Sequence, residues 1–74
     1  MPSLVENFAV NFEATRQRRG LTQEALAEKA KVSVSYISML SRGRRSPPLD
    51  TLESLARALE VTPADLLREP RKKV

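Results

Sequence analysis

The sequence predicts an all-α fold, a compact five-helix bundle. Three observations carry the prediction. Apolar residues recur three and four apart in successive short segments. Those segments open on hydroxyl or proline start signals, and the chain's two glycines both fall where such a segment should stop.

Ser3-Leu4-Val5-Glu6 has the Ser-x-x-Glu form in which the cap and the third residue satisfy each other's backbone donors. Leu4, Phe8 and Phe12 then recur every fourth residue, so the first helix runs to about Arg19 and stops at Gly20. Phe8 and Phe12 are the largest apolar side chains present and should anchor the core. Thr22 caps a second helix that carries Leu26, Ala27 and Ala30 on one face. Ser33 caps a third, with Ile37 and Leu40 inward, and Gly43 ends it. Only Lys31-Val32-Ser33 separates the second and third helices, which leaves room for a sharp corner and nothing else. Two amphipathic helices joined this way make a helix-turn-helix.

Arg44 to Pro48 form a loop, because consecutive prolines hold the chain extended. A fourth helix should start between Leu49 and Thr51, with Asp50-x-x-Glu53 as a capping box and Leu52, Leu55, Ala56 and Leu59 buried. Thr62-Pro63 opens a fifth helix of barely two turns, carrying Leu66 and Leu67 and closed by Pro70. One domain over residues 1–70 is expected, followed by a basic, disordered tail at 71–74.

At 74 residues the chain has room for a single small core. It has neither Cys nor His, so the commonest catalytic bases, nucleophiles and zinc ligands are absent, and no phosphate-cradling glycine loop is present. Two Asp and seven Glu form no spaced metal or acid–base set. The sequence therefore does not read as an enzyme, and no cofactor or small-molecule substrate is evident in it. No stretch approaches the roughly 20 apolar residues of a membrane helix, and a cytoplasmic location is expected.

The net charge of +4 is gathered into clusters: Arg16, Arg18 and Arg19; Arg42, Arg44 and Arg45; then Arg68 and the tail. Such clustering suits a polyanion, although Arg-rich loops that are simply solvated give the same pattern. With Ile37 and Leu40 inward, Val34, Ser35, Ser38, Met39 and Arg42 lie on or near the outer side of the third helix, where such a helix meets base edges in the major groove. Its first two turns hold no Arg, Asn or Gln for a two-pronged bond, so base readout should be modest, led by Arg42 or Arg44. Val34 and Met39 either touch thymine methyls or tuck under a neighbouring helix. Thr22, Gln23, Ser33, Tyr36, Arg44, Arg45 and Ser46 are candidate phosphate contacts; for Tyr36, partial burial alone is the competing reading, and Gln23 has an idle surface position as its alternative.

Leu21-Thr22-Gln23, Leu26-Ala27, Ser33, Ile37, Leu40, Gly43, Pro47 and Leu52…Leu55-Ala56…Leu59 together resemble the Cro/repressor-type (XRE) helix-turn-helix family, over about Phe8 to Leu67. The resemblance implies a lambda-repressor-like DNA-binding domain and a transcriptional regulator, a repressor or autoregulator, on double-stranded DNA. It also implies that Gln23 grips a phosphate and that the Arg44–Ser46 loop lies along the sugar-phosphate chain. Two departures stand out. Lys31 replaces the family's usual turn glycine, at a cost of about 1 kcal/mol if the backbone there is left-handed. Ser41 replaces a Glu that often pairs with the position of Arg16, so Arg16 should be solvated or reach a carbonyl or phosphate.

A single module of this kind binds a half-site weakly, so a weak homodimer on a palindromic operator is expected, with half-sites about 34 Å apart. Val61, Leu66 and Leu67 are the candidate dimer interface, with Leu59 and Leu4 beside them. The competing functions are a helical protein-interaction module that has kept the fold without specific DNA binding, and weak RNA binding through the basic tail.

Overall fold

A computed structural model describes residues 3–70; the basic tail lies outside the described residues. Its five helices are α1 (Leu4–Arg18), α2 (Gln23–Ala30), α3 (Val34–Ser41), α4 (Leu49–Leu59) and α5 (Pro63–Leu67). The second and third are the expected helix-turn-helix.

Local chemistry accounts for most of the boundaries. Ser3 and Glu6 form the reciprocal cap: the Glu6 amide donates to Ser3 Oγ at 3.2 Å, and the Ser3 amide donates to Glu6 Oε1 at 2.9 Å. Thr22 and Ser33 each accept one free amide at the start of α2 and α3, from Ala25 and Tyr36. Thr62 and Asp65 make a second reciprocal cap ahead of α5, with Pro63 in the first helical position. At α4 the expected Asp50–Glu53 capping box is absent. The helix begins at Leu49 after an extended Pro48, with no side-chain cap, so Asp50 already lies inside the first turn and its Oδ1 accepts only the next amide, that of Thr51, at 2.8 Å.

Four helices end alike. Each closes on a left-handed residue, one position past α2 and α4 at Lys31 (φ 61°) and Glu60 (φ 62°), and two positions past α1 and α3 at Gly20 (φ 69°) and Gly43 (φ 71°). The next amide then reaches back five residues: Leu21 to the Arg16 carbonyl, Val32 to Ala27, Arg44 to Met39 and Val61 to Ala56, at 3.0–3.2 Å. Lys31-Val32-Ser33 and Glu60-Val61-Thr62 are thus the same device used twice: a left-handed residue, a valine tucked against the core, then a hydroxyl cap.

The helices enclose one core. Phe8, Phe12, Leu26, Ile37, Leu40, Leu55, Leu59 and Leu66 are essentially fully buried, each contributing about 1.5–3 kcal/mol by removal from water. The Phe8 and Phe12 rings stack with centroids 5.0 Å apart, as expected of core anchors. α1 packs against α5 and α3, α2 against α3 and α4, and α4 against α5, so α3 is clamped between α1 and α2.

Candidate nucleic-acid interface

Burial of Ile37 and Leu40 sets the roll of α3 about its own axis. Both are 0% exposed. At 100° per residue the opposite side must carry Ser35, Met39 and Arg42, with Val34 and Ser38 on its flank. In the structure Val34, Ser35 and Arg42 are exposed, while Ser38 and Met39 are half-buried. Met39 therefore divides itself between neighbouring side chains and solvent, and Val34 does not tuck away.

Among the remaining candidates, Thr22 and Ser33 are exposed at the helix starts. Each oxygen accepts a backbone amide, which leaves the hydroxyl proton free to donate outward. Gln23 is half-buried in the first turn of α2, and Arg44, Arg45 and Ser46 are exposed in the loop after α3. Tyr36 is half-buried against the core, and the Arg45 guanidinium lies over its ring, with Cζ 5.7 Å from the centroid.

Several basic residues turn out to serve the fold. Arg16 is not solvated: its side chain is only 14% exposed. It reaches a backbone carbonyl, with Nη1 donating to Leu21 O at 2.6 Å, and it pairs with Glu13 one turn earlier on the same helix. Glu13 thus supplies from α1 the acid that Ser41 no longer supplies from α3. The Arg16 hydrogen bonds hold the Glu13 carboxyl below its usual range against the opposing effect of burial. The neighbouring Ser41 and then Gln17 act in the same direction, although the Ser41 hydroxyl is buried without a fully formed hydrogen bond. Arg19 pairs with Glu60 at 3.5 Å and donates to its carbonyl at 3.1 Å, and Arg68 pairs with Asp65. Among the described residues Arg42, Arg44 and Arg45 make no ion pair, nor do Arg18, Lys29, Lys31 and Arg57, and the first three form the unpaired cluster that adjoins the outer side of α3.

The expected dimer surface needs correction. Leu66 and Leu59 are both 0% exposed and have no surface to offer a partner. Val61 and Leu67 are partly buried against the core, Val61 because it closes the turn after α4. The exposed apolar residues are instead Leu49 (80%), Leu4 (65%) and Val10 (54%) besides Val34. Leu4 and Leu49 flank an apolar hollow of about 180 Å³ floored by Phe8, Leu52 and Leu67.

Four contributors escaped the reading of the sequence. Glu13 was visible as an acid three residues before Arg16, a helical ion-pair spacing. Glu60 announced its left-handed turn by repeating the Lys31 pattern. Leu49 lies in register with the buried Leu52 and Ala56 of α4 yet is 80% exposed at the helix start, where the neighbouring helices do not cover it. Asn11 carried no signal: its Nδ2 donates to the carbonyls of Leu66 (3.2 Å) and Arg68 (2.7 Å), fastening the end of α5 to α1 across 55 and 57 residues of chain.

Comparison with known proteins agrees with this geometry. A family model described as helix-turn-helix matches residues 12–66. The HTH-type transcriptional regulator DdrOP3 of Deinococcus deserti is 50% identical over 52 residues, which are 70% of this chain but 40% of that protein. The clp gene regulator ClgR from C. glutamicum superimposes with a TM-score of 0.84 at 36% identity, covering 89% of this chain and 85% of that one. The restriction-modification controller protein C.AhdI from Aeromonas hydrophila gives 0.79 at 35% identity, covering 85% and 94%. These relatives are regulators, not enzymes. No described helix is long and apolar enough to cross a membrane.

Proposed function

Since this chain belongs to the helix-turn-helix family of DNA-binding transcriptional regulators, we propose that it recognises a palindromic operator as a homodimer, and that it acts there as a repressor or autoregulator. In this reading α3 enters the major groove and α2 crosses the backbone. The observation that carries it is the full burial of Ile37 and Leu40, which turns an uncovered polar ridge outward beside three unpaired arginines.

The roles divide by chemistry. Gln23, Arg44, Arg45, Ser46, Tyr36 and the free hydroxyl protons of Thr22 and Ser33 grip phosphates and set register. Ser35 and Ser38 each offer one adaptable hydrogen bond to a base edge, Val34 and Met39 touch thymine methyls, and Arg42 is the longest base-reaching donor on the ridge. Self-association is proposed through Leu4, Leu49 and Leu67, the rim and floor of the apolar hollow, with Val61 as a lesser neighbour.

Selection of bound duplexes from a random pool, followed by titration of variants on the selected site, tests the assignment. Gln23→Ala and Arg44→Gln should weaken every duplex alike, and Arg44→Gln should flatten the salt dependence by about 0.9 log units per log unit of salt. Ser38→Ala and Arg42→Ala should change which duplex is preferred. If all four variants behave identically, the division of roles is wrong. A recovered site without two-fold symmetry, or a Leu49→Asp variant that binds and sediments as the parent does, removes the dimer.

A further inference from the structure

We propose that Tyr36 is a positioning residue for Arg45, so that the two form one phosphate-gripping unit on the flank of the reading helix. The proposal rests on the DNA-binding reading above and specifies how one of its contacts is built.

The chain brings the pair together by a turn. At Gly43 the backbone is left-handed (φ 71°), its amide bonds the Leu40 carbonyl at 3.1 Å, and the Arg44 amide bonds that of Met39 at 3.0 Å. The loop is thereby folded back along α3, and the Arg45 guanidinium comes to rest over a ring in the first turn of that helix. Tyr36 lies about 40° round the helix from the buried Leu40, at the border between the core stripe and the outer ridge. Its ring packs partly against the core and is a firm platform.

The identity of the partner decides the function. Arg16, Arg19 and Arg68 are held by carboxylates, which neutralise them. Arg45 is held by a neutral ring, and no acid pairs with it among the described residues. A cation lying on a ring face keeps its full charge and the N–H donors at its edge. Orientation is thus fixed in advance while the charge stays available to an anion, an arrangement that lowers the entropy lost when the anion binds. The border of a helix inserted in the major groove faces the groove wall, where the phosphates run.

Salt-dependent titration of the selected duplex tests the coupling, using the full chain and the variants Tyr36→Leu, Tyr36→Phe, Arg45→Gln and Tyr36→Leu/Arg45→Gln, with Arg44→Gln as reference. Arg45→Gln should flatten the slope by about 0.9, which between 50 and 200 mM salt is about 3.5-fold less loss of affinity. Tyr36→Leu removes no charge yet should flatten the slope by a similar amount, and the double variant should go no further. Tyr36→Phe loses the neutral hydroxyl and with it some affinity, but it keeps the ring face and should keep the slope. The proposal falls if Tyr36→Leu weakens binding at unchanged slope, or if the two single losses add. It also falls if the upfield ring-current shift expected for the Arg45 Hδ and Hε protons in the DNA-free parent, a measurement needing no folded Leu variant, is missing. If Arg44→Gln and the parent show the same flat salt dependence, the DNA reading itself fails. A slope that responds to Arg44→Gln but not to Tyr36→Leu overturns the coupling alone.

Discussion

Lys31 offers the sharpest test of how this chain turns its corners. It sits at φ 61°, ψ 44°, closing α2 with its amide bonded to the Glu28 carbonyl at 3.3 Å. A side chain in that conformation costs about 1–2 kcal/mol because Cβ crowds the following carbonyl. Glycine removes the crowding but adds freedom to the unfolded chain, worth about 0.4–1 kcal/mol in the opposite sense. It also removes a positive charge from the C-terminal end of α2, worth about 0.3 kcal/mol at an exposed site. The balance favours Lys31→Gly by about 0.5 kcal/mol, a rise of roughly 2–4 °C in Tm for a domain of this size. Lys31→Ala loses the same charge but keeps Cβ, so it should melt below Lys31→Gly by about 1 kcal/mol, or roughly 4–8 °C. Glu60 repeats the geometry at φ 62°, and its carboxylate, 71% exposed, gains little from Arg19. Glu60→Gly should therefore exceed Glu60→Ala by a similar margin. Thermal unfolding followed by circular dichroism measures all four. Alanine variants that melt at or above their glycine partners would refute the argument at both turns.

Two further outcomes follow from the contacts on α1. The folded pKa of Glu13 is lowered, so its stabilisation is complete above the unfolded value of about 4.3 and disappears as pH falls through the folded pKa. The difference in urea midpoint between the parent and Glu13→Gln should accordingly be full at pH 6 and shrink below about pH 4; a pH-independent difference would contradict the Glu13–Arg16 assignment. Asn11→Ala deletes both hydrogen bonds to the end of α5, at a cost of about 1–2 kcal/mol. Faster amide exchange in α5, with α2 and α3 less affected, is the expected signature.

What was legible in the sequence was whatever chemistry is local. The Ser3–Glu6 cap, the Thr22, Ser33 and Thr62 caps, the glycine stops and the inward pair Ile37 and Leu40 each depend on residues within about one turn of each other, and each appears where expected. The failures were of two kinds. At α4 an Asp-x-x-Glu pattern lost to Pro48, whose extended backbone starts the helix at Leu49 and leaves Asp50 inside the first turn. Elsewhere the deciding contact was distant in sequence. A stripe of apolar residues does not say which of its members a neighbouring helix will cover, so Leu66 read as a surface residue until α1 was seen to lie over α5. Arg19 read as part of a basic cluster for the same reason, since its partner Glu60 lies 41 residues away.

The distribution of cations bears on how this domain would discriminate among sequences. With Arg16, Arg19 and Arg68 committed to the fold, few long donors remain near the groove, and α3 contributes only short side chains in its first turns. On the proposed docking, single bonds from Ser35 and Ser38 would accept more than one base, so direct readout would leave several operator positions weakly specified. Discrimination at such positions has to come from the energy of shaping the duplex, because pyrimidine–purine steps bend more readily than A-tracts. A preorganised phosphate grip strengthens that term: the less the protein adjusts, the more the DNA must. Substitutions at untouched central base pairs of the selected operator should then alter affinity even though no side chain reaches them, and Tyr36→Leu should reduce that sensitivity by letting Arg45 move to follow an undeformed backbone.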